Sequence, residues 1–400
     1  MSLLFIALSS CNLLACYEGR RVFSQTIHFL ASKSGYSLTP IRQIAMVKRC
    51  RSCYIVILAL TLSVVSFFSW DRERNELLKQ EYVTPKSDQI SPRKLVCNKK
   101  VVRYIPSDLE ISWFRDISRL ASDDHNWLAG CGKLRNNERD VDKAISATQQ
   151  HAEGNLDSSA ARAHLSRHEL RDTCTGEISY VYIEPLISFL RHPNALCREA
   201  DILDKSYLVV PKYEEIFDTQ PPNTWLFDAG ASTYDTGAGG ASQSWFVDTY
   251  RARGIEFDRI IGWEAAVTDP KIQWEAVPAD IKRKTSWYNV AATSVPGDAD
   301  NPLTFIKSLT KEEDYVVFKL DIDAPEVEIE LVKQMMSDPE LLSLVDEFYF
   351  EHHVSGSPMQ WNGWGNLSNN AKAGSLGTLE DSYKIFGFLR EQGVRAHSWV

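Results

Sequence analysis

The segment 224–264 constrains the fold of this 400-residue chain more than any other part of it. An apolar strand pattern over 224–228 ends in an acid and turns at Gly230, where a backbone without a Cβ can approach a ligand closely. A helix is expected directly afterwards, because Ser242 suits an N-cap and apolar residues follow at helical spacing. A second apolar strand, 257–263, ends in another acid. This order of strand, glycine turn, helix, strand and acid predicts a nucleotide-cofactor site.

The alternation of strands and helices continues to the C-terminus. Further strands are predicted over 285–293, 314–321, 344–351 and 394–400, and helices over 302–309, from Pro325 to 336, and over 379–392. The strand 314–321 is almost continuously apolar, as expected of a central parallel strand buried on both faces. The fold class predicted is therefore α/β and Rossmann-like: a mostly parallel sheet with helices on both faces.

The glycine loop argues against a dinucleotide cofactor. Gly237, Gly239 and Gly240 do not have the spacing of the phosphate-binding pattern Gly-x-Gly-x-x-Gly. Asp228 would repel a diphosphate, but it could accept hydrogen bonds from the ammonium group of S-adenosylmethionine. This favours the methyl donor as cofactor, and the alternative is a tight strand-to-helix turn in some other α/β protein.

Short motifs at the strand ends carry a resemblance to a known family. They are Asp228-Ala-Gly230-Ala231, Gly262-Trp-Glu264, Asn289-Val-Ala291, the run from Lys319 to Glu326, and Glu351-His352-His353. Through these motifs, residues of roughly 224–356 resemble the FkbM-type family of S-adenosylmethionine-dependent methyltransferases. Asp323 stands where the family has a glutamate, and Ala324 stands where it has a glycine.

The resemblance implies methyl transfer from S-adenosylmethionine to an oxygen nucleophile. The cofactor-binding residues that it implies are Asp228, Gly230, Ser232, Glu264, Asn289 and Ala291. The catalytic candidates are Asp321 and His353 as bases, together with Lys319. Asp321 and His353 follow strands that should be neighbours in the sheet, and side-chain alternation places His353 on the face of Glu351. The alternatives are that Asp321 only pairs with Lys319 and that His353 is an ordinary loop residue.

The same strand ends are rich in potential metal ligands. Carboxylates suit magnesium or manganese, and the group comprises Asp321, Asp323, Glu351, His352 and His353. Because the resembling family does not depend on a metal, no metal is expected here. The nearby aromatic cluster at Trp361 and Trp364 is interpreted as loop packing, with stacking on a sugar ring as the alternative.

The N-terminal region predicts a membrane anchor. Residues 53–70 form an uncharged run of 18, just long enough to cross a bilayer core of about 30 Å, and the predicted span is 54–70. Residues 1–53 contain seven basic residues and one acid, whereas the whole chain has a net charge of −9. The positive-inside rule therefore predicts a single-pass type II protein of the Golgi or endoplasmic reticulum, with a lumenal catalytic domain. A cleaved signal peptide at 2–16 lacks the basic n-region, and a start at Met46 would leave a short basic tail.

The predicted organisation beyond the anchor is a stem over 71–106, an accessory and mainly helical region over 107–220, and a methyltransferase-like domain over 221–400. Four cysteines lie between the predicted anchor and that last domain: Cys97, Cys131, Cys174 and Cys197. They fit two disulfides with three possible pairings, or four reduced thiols. The acidic lumenal part makes nucleic acid an unexpected partner. The expected partners are the membrane and a small-molecule or glycan acceptor.

Two other functions compete with methyl transfer. A type II anchor followed by Asp321-Ile-Asp323 also resembles Golgi glycosyltransferases, in which Asp-x-Asp holds a metal bound to a nucleotide sugar. That alternative gives no role to Asp228, Glu264 or Asn289. The third hypothesis is a non-catalytic, membrane-anchored binding protein on a methyltransferase fold.

Overall fold

The first described elements form a small antiparallel sheet with helices. The structure is a computed structural model that describes residues 99–121, 127–188, 190, 204–236, 242–354, 359, 364 and 376–399. The elements are β1 Lys99–Ile105, α1 Asp108–Ala121, α2 Trp127–Glu153, α3 Ser158–His164, β2 Ser166–Asp172 and β3 Ile178–Ile183. Strand β2 lies in the middle and pairs antiparallel with both β1 and β3.

This sheet corrects the predicted stem and adds two strands to a region whose other described elements are helices. The last residues of the predicted stem form β1, and the region predicted to be mainly helical contributes β2 and β3. Strands β1 and β2 escaped prediction because polar side chains interrupt their apolar alternation, whereas β3 is largely apolar. These side chains have tertiary partners: Arg103 pairs with Glu169 across β1 and β2 at 2.7 Å, and the ring of His168 bonds the carbonyl of Arg390 at 2.8 Å.

The second sheet has six strands, and each described pair of neighbouring strands is parallel. The elements are α4 Tyr213–Ile216, β4 Thr224–Ala229, α5 Ser242–Ala252, β5 Arg259–Trp263, α6 Pro270–Glu275, α7 Ala279–Lys282, β6 Thr285–Tyr288, α8 Pro302–Leu309, β7 Tyr315–Leu320, α9 Pro325–Ser337, α10 Pro339–Leu344, β8 Glu347–Phe350, α11 Leu379–Glu391 and β9 Arg395–Ser398. The strand order is β6-β5-β4-β7-β8-β9. This is the doubly wound order, in which the chain reverses direction across the sheet between β4 and β7.

Both faces of this sheet are buried. Every residue of β7 is buried, as its continuous apolar run predicts. Successive residues of the central strands belong to two different apolar clusters: Leu226, Val317 and Tyr349 pack in one, and Phe227, Phe318 and Phe348 in the other. The predicted α/β architecture with a mostly parallel sheet is confirmed.

Two predicted strands are shorter than expected. Strand β6 ends at Tyr288, because the next residue, Asn289, uses its side chain to bond the loop after β5. Strand β8 begins at Glu347, because the preceding residues form α10, whose N-terminus is capped by Asp338. The other predicted strands match to within a few residues.

Several predictions fall outside the described residues: the tail, the anchor at 54–70, most of the stem, the glycines at 237–240, and Cys97 and Cys197. In the part of the chain that the structure describes, no helix is long and apolar enough to span a bilayer. Cys174 is disulfide-bonded, so not all four cysteines are reduced thiols. Residues 94–400 form one compact unit, which includes both the predicted accessory region and the predicted methyltransferase-like domain.

Candidate functional site

The turn after β4 lies directly against the end of β7. Gly230 has φ +82°, and a Cβ added there would lie 1.5 Å from the carbonyl oxygen of Asp321. The amide of Asp321 donates to the carbonyl of Ala229 at 3.0 Å. Only glycine fits this turn, and the close approach that the sequence predicted is to the protein's own backbone.

Lys319 links the ends of the same two strands. Its side chain is 1% exposed, and its Nζ donates to the carbonyl of Gly230 at 2.7 Å. The same Nζ lies 3.2 Å from Asp228 Oδ1 and 3.1 Å from Asp321 Oδ2. Burial opposes the charge on Lys319, but the two carboxylates raise its pKa above the usual value. These contacts fit a positioning role for the predicted catalytic Lys319, since a permanently protonated amine does not accept a proton.

Asp228 is fully buried beneath this turn. Burial raises the pKa of Asp228, and the charge of Lys319 opposes that shift. Its Oδ2 lies 3.5 Å from the hydroxyl of Ser242 at the start of α5. A ligand's ammonium group would therefore compete with Lys319 for this carboxylate.

Glu264 joins the loops that follow β4 and β5. Its Oε2 accepts from the amide of Ser232 at 2.8 Å, and its Oε1 accepts from the amide of Ala266 at 2.7 Å. The side-chain amide of Asn289, just after β6, donates to the carbonyls of Glu264 at 2.8 Å and Ala266 at 2.6 Å. Three predicted cofactor residues thus meet at one edge of the sheet, and a fourth, Ala291, lies exposed in the loop after β6.

A second group of titratable side chains lies at the ends of β7 and β8. His353 Nε2 is 3.4 Å from Glu351 Oε2 and 3.6 Å from Asp323 Oδ1, and its Nδ1 is 3.1 Å from Glu328 Oε2. Burial opposes the charge on the ring, but the neighbouring carboxylates of Asp323, Glu328 and Glu351 raise the pKa of His353 to about 10. In this arrangement His353 is protonated at neutral pH, which disfavours it as the base and leaves Asp321 as the better candidate.

His352 does not belong to this group, although the sequence placed it among the potential metal ligands. Its Nδ1 bonds the hydroxyl of Ser382 at 2.6 Å, and its Nε2 bonds the carbonyl of Leu376 at 2.7 Å. Side-chain alternation after β8 sends it to the opposite face from His353. The grouping of His352 with the potential metal ligands is therefore wrong.

Sequence reasoning missed two residues beside Asp321. The indole Nε1 of Trp399 donates to Asp321 Oδ2 at 3.2 Å, and Lys205 Nζ lies 4.7 Å from the centre of the Trp399 ring. Burial and the charge of Lys319 lower the pKa of Lys205 to about 8. Trp399 follows β9, which lies two strands away from β7 in the sheet, so the motif around Asp321 does not indicate it, and no motif marks the segment that contains Lys205.

Trp364, predicted to pack in the loop or to stack on a sugar, is buried. Its Nε1 donates to Glu351 Oε1 at 2.7 Å. This contact agrees with the interpretation as loop packing.

No protein-family model, curated protein or solved structure matches this chain. The resemblance to the FkbM-type family therefore stays a prediction. The carboxyl ends of β4, β5 and β7 bring together Asp228, Glu264, Lys319 and Asp321.

Proposed function

We propose that this protein is an S-adenosylmethionine-dependent methyltransferase that methylates a hydroxyl oxygen of a glycan or another secretory-pathway metabolite. The observation that carries the proposal is the position of Glu264. Its carboxylate lies at the end of β5 and contacts the loop after β4, next to the point where the strand order reverses. In doubly wound folds, an acid at this place accepts hydrogen bonds from the ribose of a bound nucleotide cofactor.

The choice of cofactor depends on charge. A diphosphate would face the buried carboxylate of Asp228, whereas S-adenosylmethionine brings an ammonium group that could compete with Lys319 for this carboxylate. Gly230, Ser232 and Asn289 shape the same edge, and Lys319 holds the β4 turn against β7. Together these contacts support a cofactor that spans the ends of β4 and β5.

In the proposed reaction, the acceptor oxygen attacks the methyl carbon of the sulfonium. A carbon–oxygen bond forms, the carbon–sulfur bond breaks, and S-adenosylhomocysteine leaves with the electron pair on sulfur. The hydroxyl proton passes to Asp321, whose side chain is 18% exposed while its Oδ2 is fixed by Lys319 and Trp399. Most of the acceleration comes from alignment, because the methyl group is already activated, and the base adds about 10²–10⁴-fold.

The glycosyltransferase alternative receives less support from the contacts of Asp321 and Asp323. Asp321 Oδ2 is paired with Lys319, whereas Asp323 Oδ1 is directed to His353. A metal held by both would have to displace the ammonium group of Lys319 first. The cellular placement proposed with the methyltransferase is a single-pass type II membrane protein of the Golgi or endoplasmic reticulum, with the catalytic part in the lumen.

The test is calorimetric titration of the purified full-length protein with S-adenosylhomocysteine, and separately with UDP plus Mn²⁺. Glu264→Gln removes one charged acceptor, which is worth about 1.5–3 kcal/mol, so the affinity should fall about 10- to 150-fold. The control is Glu275→Gln, an exposed glutamate at the end of α6. Thermal unfolding of both variants separates lost binding from lost folding.

The outcomes separate the three hypotheses. Binding of S-adenosylhomocysteine that depends on Glu264, with methyl transfer to an acceptor, supports the proposal. Binding of UDP with Mn²⁺, without binding of S-adenosylhomocysteine, would support a glycosyltransferase. Binding of S-adenosylhomocysteine without methyl transfer to any of a broad panel of acceptors would support a non-catalytic binding protein.

A further inference from the structure

The side chains of Asp323, Glu351 and His353 converge at the carboxyl ends of β7 and β8. One donor atom from each lies within 4.8 Å of the other two. The proposed methyl transfer gives this convergence no role, because Asp321, Lys319 and Glu264 supply the groups that the reaction requires. The arrangement therefore needs an explanation of its own.

His353 provides the observation that points to a ligand. The residue is 2% exposed, and its Nε2 makes no hydrogen bond. A buried ring nitrogen without a hydrogen bond is uncommon, and here only the longer contacts with two carboxylates compensate for its desolvation. This nitrogen is aimed between Glu351 Oε2 at 3.4 Å and Asp323 Oδ1 at 3.6 Å.

The other ring nitrogen is held as it is in metal-binding histidines. Nδ1 lies 3.1 Å from Glu328 Oε2, and since a carboxylate only accepts, the ring donates there. Glu328 is 1% exposed, and its Oε1 is fixed by the amide of Ile322 at 2.9 Å. A carboxylate that orients the distal nitrogen of a ligating histidine is the usual outer-shell arrangement of metal sites, and it leaves Nε2 facing the cluster, where a metal ion would replace the Nε2 proton.

Glu351 is oriented in a similar way. Trp364 Nε1 donates to its Oε1 at 2.7 Å, and its Oε2 is directed towards His353. With bonds of about 2.1 Å to a central ion, the separations of 3.4 Å and 3.6 Å correspond to ligand–metal–ligand angles of about 110° and 120°. These two angles suit a four-coordinate ion, and the third pair of donor atoms, from Glu351 and Asp323, lies within 4.8 Å.

Charge and exposure agree with this geometry. Three carboxylates, those of Asp323, Glu328 and Glu351, surround one imidazole. A proton on the imidazole balances only one of these three negative charges, whereas a divalent cation would balance two. The side chain of Asp323 is 67% exposed. The cluster is therefore open on one side, as metal sites that keep a position for water or substrate are.

We propose that Asp323, Glu351 and His353 bind one divalent first-row transition-metal ion, with Mn²⁺ and Zn²⁺ as the fitting ions and an open coordination position on the Asp323 side. The imidazole disfavours Mg²⁺ and Ca²⁺, which take oxygen ligands. Asp321 is not a ligand of this site, since its carboxylate pairs with Lys319. The site does not depend on the methyltransferase proposal.

The test is metal binding by the purified full-length protein after treatment with EDTA. Equilibrium dialysis with Mn²⁺ and with Zn²⁺ should give one ion per chain, and Mg²⁺ should bind more weakly. Glu351→Gln and His353→Gln should weaken binding at least 10-fold, and Glu328→Gln about 10- to 100-fold. Asp323→Asn should also weaken metal binding. Because the Asp323 side chain is exposed, this variant should fold even if a variant of a buried ligand does not, so the proposal can still be tested.

Two controls separate this site from its neighbours. Glu326→Gln changes an exposed acid on the same segment and should leave Mn²⁺ affinity unchanged. Asp321→Asn should also retain Mn²⁺, whereas an Asp-x-Asp site would lose it. Pulsed electron paramagnetic resonance of the Mn²⁺ complex should show a nitrogen coupling that His353→Gln removes. Dissociation constants above about 1 mM for both ions, or affinities unchanged in Asp323→Asn and the folded ligand variants, would overturn the proposal.

Discussion

Gly230→Ala tests the contact between the β4 turn and the end of β7. The new Cβ would lie 1.5 Å from the carbonyl oxygen of Asp321, and side-chain carbons do not approach below 3.0 Å, so the two backbones must separate by about 1.5 Å. That movement breaks the bond from the Asp321 amide to Ala229 at 3.0 Å and the bond from Lys319 Nζ to Gly230 at 2.7 Å. These bonds contribute about 1 and about 2 kcal/mol. An alanine at φ +82° costs about 1 kcal/mol more, for a total of about 4 kcal/mol.

The matched control is Gly297→Ala. Gly297 has φ +78°, but no atom lies within 4 Å of the position that its Cβ would take. This variant therefore isolates the backbone penalty of about 1 kcal/mol. Urea unfolding of the full-length protein, followed by tryptophan fluorescence, gives both free energies of unfolding. If the two variants lose the same stability within about 0.5 kcal/mol, the β4 turn does not pack on β7 as described.

Two further predictions concern buried charge. Lys319→Met leaves two carboxylates without their cation and should reduce the free energy of unfolding by about 3–5 kcal/mol, whereas Lys307→Met, at an exposed ion pair, should cost less than about 1 kcal/mol in the same urea assay. Burial opposes ionisation of Glu347, but the charge of Arg395 lowers its pKa from 4.5 to about 2. Because the folded pKa lies below the unfolded one, this stabilisation of about 3 kcal/mol is present above pH 4.5 and is lost as the pH falls towards 2. Between pH 4.5 and 2, Glu347→Gln should reduce the slope of the unfolding free energy against pH, whereas the exposed Glu313→Gln should leave that slope unchanged. Equal slopes in the two variants would contradict a lowered pKa of Glu347.

The parallel sheet could be predicted from the sequence because its strands are marked by local patterns. The continuous apolar run of β7 indicates a central strand. The acids at the ends of β4 and β5 indicate the edge of the sheet at which these strands meet. Strands β1 and β2 of the antiparallel sheet could not be predicted, since Arg103, His168 and Glu169 occupy strand positions that only their tertiary partners make favourable. Polar strands carry little periodic signal.

The candidate site was predicted in part for the same reason. Glu264 and Asn289 lie at strand ends, where the topology of a doubly wound sheet places functional residues. Trp399 and Glu328 were missed, because their partners Asp321 and His353 are 78 and 25 residues away in the chain. Such contacts depend on how β9 and α9 pack, and spacing within the sequence does not show them.

Hydrogen exchange of the full-length protein, measured by mass spectrometry with and without S-adenosylhomocysteine, tests the proposed cofactor site most directly. We expect slower exchange in two segments, 229–233 after β4 and 263–268 after β5, whose amides surround Glu264. Exchange in β1, at 99–105, should not change. Unchanged exchange in both segments at saturating S-adenosylhomocysteine would contradict the methyltransferase proposal.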